Sequence, residues 1–142
     1  MLVIGGGIIG LERQLRGKAA GIRTSILICL GTQLFVSLGS SFGGEPVDPT
    51  RVLGQVVTGI GFLGGGVILA REGAVIGVTS AAVIWVLAAL GSLIGLGHLV
   101  AAMVLSVVTV GLLIGVELLE SIFRRLREGA TDRELEQIDL QE

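Results

Sequence analysis

The chain has 142 residues, 51% of them hydrophobic and only 15% charged, with a net charge of −2 and a mean hydropathy of +0.89. Soluble domains carry about 25% charged residues, so the composition excludes an ordinary water-soluble enzyme and points to an integral membrane protein held in the lipid bilayer. A single cysteine, Cys29, excludes an internal disulfide and a multi-cysteine metal site.

A membrane-spanning helix needs about 20 mostly apolar residues. Residues 1–11 are apolar but reach only about 16 Å as a helix, which suits a half-span, an interfacial helix or the end of a longer helix and is counted here as a short N-terminal span; they lack the basic start of a signal peptide. Residues 24–42 and 52–70 are each a full span. Residues 73–116 contain no Asp, Glu, Lys or Arg and suit two spans joined by a turn at Gly95-Leu96-Gly97-His98. The expected fold is all-α, a polytopic transmembrane bundle of four full spans and one short one over residues 1–123. A charged tail follows over residues 124–142. Glu120 and Arg124 stand at i, i+4 in its approach, and Thr131-Asp132-Arg133-Glu134 reads as a capping box opening a short helix.

The bases fix an orientation. Arg13, Arg16, Lys18, Arg23, Arg71, Arg124, Arg125, Arg127 and Arg133 fall on one side if the spans alternate, and Arg51 alone on the other. Positive loops stay inside, so the C-terminus is expected in the cytoplasm and the N-terminus outside.

Small residues pattern the third span. Gly54, Thr58, Gly61 and Gly65 share one narrow face, and Gln55, Gly59, Phe62 and Gly66 form the stripe beside it. This predicts a central helix packed closely on two neighbours, with Gly61 intolerant of a larger side chain. Ala81, Ala88, Ser92 and Gly95 make a similar face on the fourth span, and Gly111 with Gly115 a GxxxG pair on the last. Gly59-Ile60-Gly61-Phe62-Leu63-Gly64 fits the G-x-G-x-x-G dinucleotide pattern, but it lies inside an apolar span with no acid about 20 residues on. It is a by-product of glycine content.

Polar groups at membrane depth call for partners. Gln33 and Gln55 either bond to each other or line a polar cavity, Cys29 is a small hydrophobe, and His98 belongs to a turn. Glu12, Arg13, Arg23 and Thr24 flank one loop, and Arg71, Glu72 and Thr79 another on the same side. These groups are either snorkelling anchors or a converging network, in the sharper form an anion or headgroup pocket closed by Arg23 and Arg71. Glu45 and Asp48 are at most a weak cation site, and Asp48-Pro49 reads better as the N-cap and first residue of a helix. No residue set suits catalysis, and neither a cofactor nor a nucleic-acid partner is expected.

Several segments together resemble the MgtC/SapB family of bacterial membrane proteins. They are Gly10-Leu11-Glu12-Arg13-Gln14, Gly21-Ile22-Arg23-Thr24, Asp48-Pro49-Thr50-Arg51 with Gln55-Val56-Val57-Thr58-Gly59-Ile60-Gly61-Phe62-Leu63-Gly64, Arg71-Glu72-Gly73 and Val78-Thr79-Ser80-Ala81-Ala82-Val83-Ile84-Trp85. Ser25 stands where many members have His, Ile76 where Arg is common, and His98 where an aromatic is frequent. The resemblance implies an inner-membrane protein of about five helices without enzyme activity, tied to adaptation to low magnesium and to virulence. It further implies a regulator that packs on other membrane proteins, ATP synthase among them, or on a second copy of itself. Members often carry a cytoplasmic C-terminal domain, which is not expected in this chain. The competing expectation is a transporter or binding protein for a cation or small anionic ligand.

Overall fold

A computed structural model describes residues 2–41, 49–71 and 74–139. The elements in order are α1 (Leu2–Leu15), α2 (Ile22–Ser41), α3 (Pro49–Gly66), β1 (Leu69–Arg71), β2 (Ala74–Ile76), α4 (Val78–Gly95) and α5 (Leu99–Asp139). Among the described residues three helices are long and apolar enough to cross a bilayer: α2 over Ile22–Gly39, α4 over Val78–Gly95 and α5 over Leu99–Phe123. Of the four full spans expected these are three, and the one expected over residues 52–70 is not among them. The short first helix is present as the 14 residues of α1.

The third expected span is corrected most. Its helix begins at Pro49, whose fixed φ suits a first helical position, and ends at Gly66. Residues 67–70, counted above as its last turn, leave the helix. Three consecutive glycines, Gly64-Gly65-Gly66, precede the break, and Leu69–Arg71 pairs antiparallel with Ala74–Ile76, Leu69 opposite Ile76. Glycine weakens a helix and β-branched residues favour strands. Losing 67–70 strips the helix of its most apolar end and retains Arg51 and Gln55.

Two helix ends are set by glycine. After α4, the His98 amide donates to the Leu93 carbonyl at 2.8 Å and the Gly97 amide to Ile94 at 3.0 Å, with Gly97 at φ 81°. After α1, Lys18 donates to Arg13 at 3.0 Å and Gly17 to Gln14 at 3.1 Å, with Gly17 at φ 62°. Both are Schellman terminations, and the first is the tight turn expected at residues 95–98.

The chain divides into two units, Met1–Val110 and Gly111–Glu142. Within the first, α2 and α4 form the central pair, α1 packs mainly on α2, and α3 lies on α4 and on α2. The helix expected at the centre, α3, has its two neighbours but flanks this pair. The inward face of α2 is Ser25, Cys29, Thr32 and Val36, at i, i+4, i+7 and i+11. It meets α4 where glycine removes the side chain. A Cβ on Gly91 would lie 2.5 Å from the Cys29 carbonyl oxygen, and one on Gly95 3.0 Å from that of Gln33. The Cys29 thiol donates to the Leu87 carbonyl at 3.3 Å. Ile60, Ile84, Ala88 and Ala20 close a small core, with Ile28, Val56 and Val67 against it. Among the described side chains of α5 the buried ones are Ala102, Ser106 and Thr109, and both hydroxyls are satisfied by carbonyls of their own helix.

The second unit is the continuation of α5. The helix runs without interruption to Asp139, so residues 131–134 lie inside it and open no separate helix. Charged, unbranched residues of high helix propensity dominate this stretch.

Gly91→Leu is expected to lower the yield of folded protein in detergent sharply, because the side chain must displace α2 backbone at a cost of about 3 kcal/mol or more. Gly61→Leu should leave the isolated chain folded, since a Cβ there meets nothing within 4 Å. Size-exclusion profiles and melting curves of the two variants check this.

Candidate functional site

Burial separates the charged residues at the ends of α1 and α4. On α1, the helical spacing turns Gly5, Ile9 and Arg13 to one side, with Gly6, Gly10 and Glu12 adjoining, and all six are buried. Gly10 permits the approach of α2, for a Cβ there would lie 2.7 Å from the Ile22 Cα. The α1 face therefore carries Arg13, 3% exposed, and Glu12, 9% exposed, into the protein instead of into water.

Each is held. The Arg13 guanidinium donates through Nη2 to Ser80 Oγ at 2.5 Å and through Nε to the Ala19 carbonyl at 3.4 Å. Glu12 Oε1 pairs with Arg16 Nε at 2.5 Å across one helical turn. Burial lowers the Arg13 pKa, against which the Glu12 carboxylate raises it. A guanidinium stays charged under all physiological conditions, so the consequence is mechanical: a permanent cation is tied to the first turn of α4. Glu12 Oε2 is buried and accepts no hydrogen bond among the described residues. The α1–α2 loop is fixed by Gln14, whose Oε1 accepts from the Ile22 amide at 3.3 Å, and by Ser25 Oγ, which donates to the Ala20 carbonyl at 2.8 Å.

Of the two readings of these groups, anchors or a converging network, the structure has the two segments joined by a hydrogen bond, but through few of the residues named. Glu12 and Arg13 take part. Thr79 is exposed and its neighbour Ser80 makes the bond. Arg23 and Thr24 are exposed outside the cluster. The Arg71 side chain and Glu72 lie outside the described residues, as do Glu45 and Asp48. Among the described residues no three His, Cys, Asp or Glu side chains group as metal ligands. Arg16, Gln14 and Ser80 were not singled out as contributors, and the i, i+4 spacing of Glu12 and Arg16 was the one available signal. Nothing local marks Ser80, which is 67 positions from its partner.

Between α2 and α3 lies an open groove of about 680 Å³. Its walls are apolar except for Thr24, Thr32 and Gln55, and Gly31 and Gly59 widen it. Gln55 and Gln33 do not pair. Gln33 Nε2 donates to Ser37 Oγ at 3.2 Å, which donates to the Gly95 carbonyl of α4 at 3.2 Å. Gln55 faces the groove.

The small-residue face of α3 is also placed otherwise than expected. Gly54, Thr58, Gly61 and Gly65 are all exposed, and a Cβ on any of the three glycines meets nothing within 4 Å. Thr58 Oγ1 is satisfied by the Gly54 carbonyl at 3.0 Å. At 100° per residue this face points roughly away from Val56, Gly59 and Ile60, the side that meets α2 and α4. Gly111 and Gly115 are likewise open. On α4, by contrast, the expected face is packed, with Ala81 and Ala88 buried and Gly95 against α2.

The MgtC family model matches residues 1–122. The chain is 43% identical over 129 residues to Protein MgtC of Brucella abortus (strain 2308), covering 88% of this chain and 53% of that one. It is 50% identical over 99 residues to YhiD of Escherichia coli (strain K12), named as a candidate magnesium transporter, covering 64% of this chain and 46% of that protein. Protein MgtC of Salmonella typhimurium (strain 14028s / SGSC 2262) is 47% identical over 94 residues, 66% of this chain and 39% of its own. The chain thus spans about half the length of such relatives or less. No solved structure matches it.

Ser80→Ala is expected to lower stability by about 1–3 kcal/mol, because it leaves the buried Arg13 guanidinium short of an acceptor. Thr79→Ala should change it by less than about 0.5 kcal/mol. Thermal melts of both variants in one detergent distinguish the bonding residue from its exposed neighbour.

Proposed function

This chain belongs to the MgtC family, and from that premise we propose that it is a non-enzymatic inner-membrane regulator acting by helix packing on another membrane protein. The observation that carries the reading is the open small-residue face of α3. Four small side chains at helical spacing let a second backbone approach closely, and no helix of the described chain uses them. The tight glycine contacts between helices lie elsewhere, at Gly5, Gly6, Gly10, Gly39, Gly91 and Gly95. The α3 stripe is therefore surplus to the fold, and it lies opposite the contacts that hold the helix in place. The partner proposed is a subunit of a multi-subunit membrane complex, with ATP synthase the first to test and adaptation to low magnesium or virulence the setting. A second copy of the chain is the competing occupant.

A photo-crosslinking residue at position 61 tests this. Irradiation in native membranes should join the chain to a membrane subunit of larger mass, and Gly61→Leu should remove that product while the protein stays folded. Crosslinks to lipid alone, or to a second copy alone, would reject the reading.

The orientation proposed places residues 12–23, residues 71–77 and the C-terminus in the cytoplasm, with nine bases there against Arg51 on the other side. It requires α3 to cross as well, and 18 residues give it about 27 Å. Cysteine labelling should find Lys18→Cys reactive from the cytoplasm and Pro46→Cys from outside. Labelling of position 46 from the cytoplasm would overturn it.

The alternative, a binding or transport protein for a cation or small anion, draws on the buried, unpaired Glu12 Oε2. A ligand there should raise the melting temperature by mass action, and the rise should vanish in Glu12→Gln.

A further inference from the structure

The connection between α3 and α4 carries an apolar surface that the bundle does not use. Ile68, Leu69, Ala70, Ala74, Val75 and Ile76 are all exposed, the larger four by 40–62%. The register puts Leu69 opposite Ile76 and Ala70 opposite Val75. Successive pairs point to opposite faces of a ladder, so both faces of the β1–β2 hairpin are apolar. The sheet has two strands, and each leaves an outer edge with no strand beside it among the described residues. The base of the hairpin is nonetheless fixed. Gly77, at φ 90°, comes so close to the Val67 carbonyl that a Cβ would collide with it, and the Val67 and Ile68 amides donate to the Gly64 and Gly65 carbonyls at 3.2 Å.

The level of the hairpin is set by its neighbours. The spanning helix α4 starts at Val78, two residues after β2. The Arg13–Ser80 bond ties that first turn to the end of α1, and the loop that follows α1 exposes Lys18. Charge and water therefore begin near the height of the hairpin. Its apolar surface also runs on into the exposed Val78 of α4, continuous with the side of the bundle that meets lipid.

Water would satisfy the strand edges but leave six apolar residues bare. Hydrocarbon would cover those residues and strand the edge N–H and C=O groups, which an open sheet edge in lipid does not survive. A partner strand would satisfy one three-residue edge and leave both faces uncovered. The boundary between headgroups and acyl chains meets both demands, because apolar side chains reach the chains there while polar groups stay hydrated.

We propose that the β1–β2 hairpin is an interfacial anchor. It rests in the bilayer surface at the Lys18 end of the bundle, with Leu69, Val75 and Ile76 among the upper acyl segments and both strand edges hydrated among headgroups. The anchor does not involve the small-residue face of α3 and stands whichever partner that face takes.

The test uses the full chain in vesicles of phosphatidylethanolamine and phosphatidylglycerol, with a nitroxide attached at Leu69→Cys or Val75→Cys. Lys18→Cys marks water, and Val107→Cys, on the exposed side of the α5 span, marks hydrocarbon. Cys29 is buried and stays unlabelled in a short reaction. Collisions with oxygen, which concentrates in lipid, and with a water-soluble nickel chelate give the depth. Labels at positions 69 and 75 should fall between the two references for both reagents, about 5–10 Å into the headgroup and acyl boundary. Values equal to position 18 would place the hairpin in water, and values equal to position 107 would place it in hydrocarbon. Shielding from both reagents would mean that protein covers it. Each of these three results would overturn the proposal. A second measurement avoids the nitroxide, using Trp85→Phe together with Val75→Trp. Lipids brominated near the ester end of the acyl chain should quench the new indole more than lipids brominated near the methyl end, and equal or absent quenching would likewise overturn the anchor.

Discussion

The bundle depends on the contact of α2 with α4 at backbone distance. Gly91 and Gly95 stand one turn apart and offer no side chain, so the Cys29 and Gln33 carbonyls of α2 come against the α4 main chain. In lipid the usual driving force for burying apolar side chains is weak, and association relies on close van der Waals contact and a few hydrogen bonds. Both occur here, the hydrogen bonds being Cys29 to Leu87 and Ser37 to Gly95. The remaining helices are placed by this pair. α1 approaches α2 through Gly6 and Gly10, and α3 lies on α4 through Ile60 and Gly64.

Once α1 is drawn onto α2 by its glycines, Arg13 and Glu12 have no route to water, because they share the helical face that the glycines bury. The fold answers with Ser80 and Arg16. A buried guanidinium is a demanding neighbour: it must find acceptors or destabilise the whole arrangement. In finding Ser80 it fastens the end of α1 to the start of α4, across the loop that holds Gly17 and the segment that holds the β1–β2 hairpin. Electrostatics and packing are therefore one structure at this end of the bundle.

Much of this was legible in the amino-acid sequence. The helices, the turn at residues 95–98 and the packed face of α4 follow from local pattern, while the meeting of the two charged loops was one of two readings that the pattern left open. Four features did not. The end of α3 was read by apolarity, which cannot distinguish a buried helical turn from a short strand; the triple glycine was the better signal. The Gly54–Thr58–Gly61–Gly65 stripe was read as interior because small faces usually are, yet spacing says only which residues share a face and not what the face meets. On α1, where glycines do bury a face, they fall next to charged residues that suggested exposure. Ser80 was invisible for the plainest reason, that a bond between residues 67 apart leaves no trace in either neighbourhood.

Cys29, the one cysteine of the chain, lies fully buried in the seam between α2 and α4. A thiol reagent reaches it only when the two helices part, so the rate at which it is modified measures how often the bundle opens.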